Sequence, residues 1–172
     1  MGIAERMAAE ISRQRIEFEQ QNQLARERDL EKAEAIAKHV PGMWSSLTET
    51  LKTEVEKFSK LEKSAEGLSA LSQSVTHLLI QTSAFPIIKV NIFKTYDGFV
   101  SVDMTQIVSG FGPARQAKPE RFRFTVDEQL SPCFVDDSGR QYTVELLAEE
   151  ILKPIFTFLA DPSISDSSIQ FR

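Results

Sequence analysis

Apolar residues recur at steps of three or four along the first half of the chain, which is the spacing of one helix face. Residues 3–40 lack proline and are rich in Ala, Glu, Gln and Arg, all good helix formers. Their apolar positions are sparse, and a polar run at residues 20–23 interrupts them. Pro41 and Gly42 follow, and this pair is typical of a helix end. The pattern predicts a first helix over residues 3–40.

A denser apolar stripe follows this proline and glycine. We predict a second helix that extends to about residue 80 and packs on the first as a helical hairpin resembling a coiled coil. Gly67 would cost about 1 kcal/mol inside a helix, and residues 69–82 also alternate acceptably as a strand, so this alternative stays open. The stripe consists of Trp44, Leu47, Leu51, Val55, Phe58, Leu61, Ala65, Leu68, Leu71, Val75 and Leu78.

Residues 89–104 alternate between apolar and polar positions on both sides of a turn, which is typical of a β-hairpin. A three-residue turn over residues 96–98 sets Ile92 opposite Val102 and leaves polar residues on the other face. A two-residue turn would mix apolar and polar residues on both faces, so burial selects the three-residue turn. Gly98 then occupies the left-handed position of a bulged turn.

The same reasoning applies to the next alternating segment. A turn over residues 137–139 places Phe134 opposite Tyr142 on one face and Asp136 opposite Arg140 on the other. An aromatic pair and an ion pair on opposite faces are a consistent result, so we predict a second hairpin.

The remaining segments complete an α+β chain, in which helices come first, then an antiparallel sheet of about five strands, then a C-terminal helix. Residues 121–126 alternate as a strand after a loop at residues 109–120 that contains two Gly and two Pro. Thr143 can cap the last helix, which Pro154 should kink or restart. Its buried positions are Val144, Leu147, Ile151, Ile155 and Phe158.

This order predicts two regions and a tail. Residues 1–80 form the helical hairpin, residues 81–160 form the small sheet with the C-terminal helix, and the Ser-rich residues 161–172 form a mobile tail.

Charge and cysteine content reduce the number of functions and cellular locations that this protein could have. A net charge of −5 from 20 basic and 25 acidic residues disfavours a surface that grips nucleic acid. The single cysteine excludes an internal disulfide and fits a reducing compartment. The N-terminus carries no apolar run, and the longest uncharged stretch is rich in Ser, Thr and Gln. We therefore expect a cytoplasmic protein without a membrane segment.

Candidate catalytic and metal-binding groups are few. His39, His77 and Cys133 have no second ligand at metal-binding spacing. Residues 136–139 resemble part of a calcium loop, but the twelfth position holds Leu147 where such a loop needs a glutamate. We expect no metal site, no cofactor and no catalytic residue, and hence a protein that is not an enzyme.

Residues 111–124 combine basic and aromatic side chains, which suits contact with an anionic partner. The strict alternation of an ordinary amphipathic strand explains the same pattern more simply. The candidate binding residues are Arg115, Lys118, Arg121 and Arg123.

Two functional hypotheses follow. The first is a non-enzymatic protein-interaction or oligomerisation module, with a homodimer favoured because the second stripe exceeds what the first can cover. If the sheet covers that stripe instead, a monomer is expected. The second hypothesis is a domain that binds a small ligand or an anionic polymer on its sheet and residues 111–124, with catalysis conceivable there. The candidate interface residues of the first hypothesis are Trp44, Leu47, Leu51, Val55 and Phe58.

Overall fold

The protein has a long N-terminal helix, an antiparallel sheet and a C-terminal helix, which confirms the α+β class. A computed structural model describes residues 2–83, 87–107 and 115–160. The predicted tail at residues 161–172 and part of the predicted loop at residues 109–120 lie outside the described residues. The elements are α1 (Ile3–Leu61), a 3₁₀ turn (Lys63–Ala65), β1 (Ser69–Ser74), β2 (His77–Gln81), β3 (Ile87–Lys94), β4 (Phe99–Ile107), β5 (Arg115–Gln116), β6 (Glu120–Val126), β7 (Pro132–Val135), β8 (Gln141–Tyr142) and α2 (Val144–Ala160).

The sheet is antiparallel, and its strands follow one another in the order β1-β2-β3-β4-β6-β7-β8. The two-residue strand β5 pairs with β4 beside this path. Among the described residues the path therefore contains more strands than the five or so expected. The additional strands of the path are β1 and β2, from residues predicted as helix.

Both predicted hairpins are confirmed. Ile92 lies opposite Val102 in the β3–β4 pair, as the three-residue turn requires. Gly98 has a φ of +83°, the left-handed conformation that the bulged turn needs. In the second hairpin Phe134 lies opposite Tyr142. Burial of one face was thus sufficient to set the register of each hairpin.

The predicted helical hairpin is wrong, because α1 continues through Pro41 and Gly42 to Leu61. A proline inside a helix removes one backbone hydrogen bond and crowds the preceding turn, at about 3 kcal/mol. Pro41 and Gly42 are both exposed, as is Ala37, so the freed carbonyl of Ala37 remains accessible to water. Burial of the residues that follow, beginning with Met43, offsets the loss.

The helix predicted to reach about residue 80 ends at Leu61, and residues 69–74 and 77–81 form strands. Gly67 lies in the connection with a φ of +85°, and a Cβ added to it would come within 2.1 Å of the Ser83 Oγ. Leu71 and Val75, inward on the helical interpretation, are 46% and 88% exposed. The alternative of a strand is therefore the observed one.

One face of the sheet is covered by the C-terminal part of α1 and by α2, and the core lies between these layers. α2 begins as predicted, because the Thr143 Oγ1 accepts a hydrogen bond from the Leu146 amide at 3.3 Å. Its stripe of Leu147, Ile151, Ile155 and Phe158 is buried. α2 passes through Pro154 without a restart. We call this layered part of the protein the body.

Candidate functional site

The N-terminal part of α1 lies outside the body. We call residues 3–40 the arm, which is about 57 Å long at 1.5 Å per residue. Every side chain from residue 3 to residue 34 is exposed. Exposed apolar area of this extent usually marks an interaction surface. Its large apolar side chains, between 54% and 73% exposed, are Ile3, Met7, Ile11, Ile16, Phe18, Leu24 and Leu30.

Several of these side chains share one face of the helix. Helical residues advance by about 100°, so positions at steps of three, four, seven or eleven align. The arm stripe, as we call this face, continues along α1 into Met43 and Leu47, which are buried against the sheet. Ile16 lies on the opposite face. The arm stripe comprises Ile3, Met7, Ile11, Phe18, Ala25, Ile36 and Val40.

The arm stripe ends where the body begins. The Trp44 Nε1 donates a hydrogen bond of 2.8 Å to the Val75 carbonyl, so the β1–β2 turn is held against α1 at this point. Val40 and Ile36 are half-buried, and Val40 packs at the margin of the core. An elongated partner could therefore lie along the arm stripe only as far as Val40.

The charge of the arm is nearly balanced. Residues 3–40 contain seven basic and eight acidic side chains, distributed along its length. Polar contacts run along the helix surface, such as the hydrogen bond of 3.1 Å from Gln23 Nε2 to Glu27 Oε1. The arm therefore carries no field of a single sign that would repel a second arm.

The candidate interface residues predicted from the second stripe are placed inside the body. Trp44, Leu47, Leu51 and Val55 are buried against the sheet and α2, with Leu47 and Leu51 at 0% exposure. Phe58 is half-buried, and its ring stacks on Phe156 at 3.9 Å between centroids. The sheet covers the stripe that was expected to remain open, so this stripe no longer supports a homodimer over a monomer. The exposed apolar surface lies instead on the arm, where the recurrence of apolar residues at steps of four and seven was its signal in the sequence.

The candidate anion-binding residues whose side chains the structure describes differ in how they are engaged. Arg121 donates to the Asp97 carboxylate at 3.1 Å, and its guanidinium lies 4.3 Å from the centroid of the Phe99 ring. Arg123 and Lys118 are exposed. Arg115 begins β5, and its side chain is outside the described part of the structure. The positive charge of Arg121 is thus partly neutralised by its neighbour.

The open face of the sheet carries a histidine whose contacts are structural. The ring of His77 stacks on Phe93 at 4.2 Å, and its Nε2 lies 3.0 Å from the Asn91 Oδ1. These contacts bridge β2 and β3, which are paired in this region. His77 therefore contributes to cross-strand packing.

The Asp136 carboxylate organises the second hairpin. It accepts hydrogen bonds from the Ser138 and Arg140 amides, each at 2.9 Å, and from the Tyr142 hydroxyl at 3.0 Å. Desolvation would raise the pKa of Asp136, but these hydrogen bonds lower it below its ordinary value. The Asp136 carboxylate thus stabilises the turn of the second hairpin.

Glu120 is a titratable group that the sequence did not single out. It begins β6 opposite Val102, on the buried side of the sheet. Desolvation, together with the nearby charges of Glu150 and Asp136, raises its pKa to about 7. Its position opposite a core valine depends on strand register, so no local motif marks it.

The remaining chemistry is sparse. Desolvation and the charge of Asp127 raise the pKa of the buried Cys133 thiol, which opposes its ionisation to a nucleophilic thiolate. The residues described contain no group of three or more His, Cys, Asp or Glu side chains that could hold a metal ion. No helix in the described ranges combines the length and apolar character that a membrane span requires.

A shallow depression of about 490 Å³ lies between α1 and the start of α2. Hydroxyl and carboxylate groups line it, without a basic side chain for an anion, and its residues are Ser45, Ser46, Glu49, Thr50, Val144 and Glu145. Comparisons of the chain with protein-family models, curated proteins and solved structures find no match. The arm is therefore the strongest candidate site, and its support is entirely physical.

Proposed function

We propose that this protein is a non-enzymatic interaction module that self-associates through the arm of α1, with a dimer as the expected assembly. The observation that carries the proposal is that every residue from 3 to 34 is exposed, including the large apolar side chains among them. A helix this rich in charge and this thin in apolar residues cannot bury its own stripe, and a second helix can cover it.

The body supplies the anchor in this proposal. α1 is one continuous helix, and its C-terminal part is fixed in the core by Leu47 and Leu51. The arm is therefore presented as an extension of a packed element, and helix nucleation has already occurred at its C-terminal end. This arrangement lowers the ordering cost of binding, because part of the interface helix is held in place beforehand.

The alternative of an anionic ligand on the sheet has weaker support. Arg121 is engaged by Asp97, and Glu120 lies one residue before it. The chain as a whole carries a net charge of −5. These negative charges oppose the accumulation of an anion near Arg121 and Arg123.

The proposal is tested by measuring the mass of the full chain in solution by light scattering over a range of concentrations. The wild-type chain should reach dimer mass as concentration rises, and Phe18→Glu should shift the equilibrium towards monomer. Burying a Phe side chain stabilises an interface by about 1.5 kcal/mol or more. Because each dimer contains two copies, the dissociation constant should increase by roughly 100-fold or more.

Ile16→Glu is the matched control, because Ile16 is 54% exposed, compared with 63% for Phe18, but lies off the arm stripe. Both variants should retain the circular dichroism and melting midpoint of the body. A wild-type chain that stays monomeric at millimolar concentration would end the proposal. Equal weakening by both substitutions would show that the arm stripe is not the interface.

A further inference from the structure

Six of the seven positions of the arm stripe are arranged symmetrically about the centre of the arm. Counting inward from each end of the arm, Ile3 and Met7 correspond to Val40 and Ile36, and Phe18 corresponds to Ala25. The centre of this mirror relation lies between Gln21 and Asn22. A helix with such a pattern matches a copy of itself running in the opposite direction.

We propose that two arms pair antiparallel along their whole length, with the two-fold axis between Gln21 and Asn22. This inference rests on the proposed self-association and specifies its geometry. In this pairing Ile3 lies against the partner's Val40 and Phe18 lies against the partner's Ala25. The interface is isologous, so each contact occurs twice.

The position of the body is compatible with the same alignment. α1 begins at Ile3, and the β1–β2 turn blocks the stripe beyond Val40 through the Trp44–Val75 hydrogen bond. Antiparallel helices that use all of the stretch between Ile3 and Val40 have their midpoint between residues 21 and 22. This midpoint coincides with the centre of the apolar pattern, because both are counted from Ile3 and Val40.

A parallel arrangement conflicts with the structure. The arm stripe and the buried residues Met43 and Leu47 lie on the same side of α1. Two parallel arms facing each other would direct both bodies into the same space. They would also oppose Asp29 with its own copy and Lys32 with its own copy, which repel. Antiparallel pairing places the bodies at opposite ends instead.

The polar positions of the stripe fit the antiparallel alignment. Gln14 meets the partner's Asp29, where the amide can donate to the carboxylate. Ile11 meets the partner's Lys32, whose methylene stem can cover it while the ammonium group remains in water. Polar groups at such seam positions reduce affinity but specify register.

Charges beside the stripe are compatible with this register. On one side, Glu17 lies near the partner's Arg28. On the other side, Arg15 and the partner's Arg26 approach each other, with Glu19 one turn from Arg15 on the same helix face. By symmetry both pairs occur twice, and the carboxylate of Glu19 offsets the like charges of Arg15 and Arg26.

Disulfide trapping in the full chain tests the register. Chains carrying Met7→Cys are mixed with chains carrying Ile36→Cys and oxidised under mild conditions, and covalent dimers are measured on a non-reducing gel. The mixture should form a disulfide-linked dimer, whereas each variant alone should not, because its own cysteines would be about 43 Å apart along the axis. Wild-type chain supplies the background from Cys133, which is buried.

Two further variants distinguish the outcomes. Gln21→Cys alone should crosslink, because the two copies lie beside the two-fold axis, whereas Ile11→Cys alone should not. Crosslinking of Ile11→Cys and of Met7→Cys alone would establish parallel arms and overturn the register while leaving self-association intact. A chain of dimer mass without the mixed crosslink would also overturn the register. Monomeric mass for the wild type would overturn the proposed function itself.

Discussion

Gly67 connects α1 to the sheet, and its replacement by alanine tests the geometry of this connection. The residue has a φ of +85°, and an added Cβ would lie 2.1 Å from the Ser83 Oγ and 3.3 Å from the Ser83 Cβ. The left-handed conformation costs an L-residue about 1–2 kcal/mol. Ser83 is exposed, so its hydroxyl can rotate, at about 1 kcal/mol if the new rotamer is unfavourable. We expect Gly67→Ala to lower the free energy of unfolding by about 2 kcal/mol.

Gly98→Ala is the matched control. Gly98 has a φ of +83°, but an added Cβ there would have no neighbour within 4 Å. Its substitution should cost only the conformational part, about 1 kcal/mol. Urea denaturation measures both values, and a double-mutant cycle of Gly67→Ala with Ser83→Ala isolates the contact. Equal effects of the two glycine substitutions would refute the close approach to Ser83, and no effect of either would refute the left-handed backbone.

Two further predictions concern the body. Leu51→Glu places a charge at a position of 0% exposure and should lower the free energy of unfolding by about 4 kcal/mol or more, so that the chain unfolds. Circular dichroism measures this loss of structure. A folded Leu51→Glu monomer would contradict the assignment of Leu51 to the core. Glu120 has a folded-state pKa of about 7 against an ordinary value of 4.5, so its contribution to stability is full below about pH 4.5 and is lost as pH rises through about 7. The free energy of unfolding of Glu120→Gln, measured from pH 4 to pH 8, should therefore vary less over this window than that of the wild type. An identical pH dependence would show that Glu120 is not buried as described.

Local patterns were sufficient where burial leaves one consistent solution. In the β3–β4 hairpin, the requirement that Ile92 and Val102 share the buried face selected both the turn length and the role of Gly98. The same holds for Phe134 and Tyr142 in the second hairpin. A shift of one residue would expose every core side chain of a strand, so an alternating sequence specifies its register strongly.

Local patterns failed where tertiary contacts outweigh propensity. Pro41 and Gly42 favour a helix end, but burial of Met43 and the following stripe keeps α1 continuous. Leu68, Leu71, Val75 and Leu78 have helical spacing, yet they belong to the connection, a strand, a turn and a second strand. Pairing of β2 with β1 and with β3 decides between these alternatives, and the helical spacing of the apolar residues does not reveal that pairing.

The sequence by itself determined the α+β class, the two hairpin registers, the start of α2 and the thin apolar stripe of residues 3–40, because each depends on contacts between near neighbours in the chain. Only the tertiary structure decided which stripe is buried and which is free. The sheet covers Leu47 and Leu51, so the denser stripe became core, and the thinner one on the arm remains exposed. The physical reason is that burial favours the stripe with more apolar area.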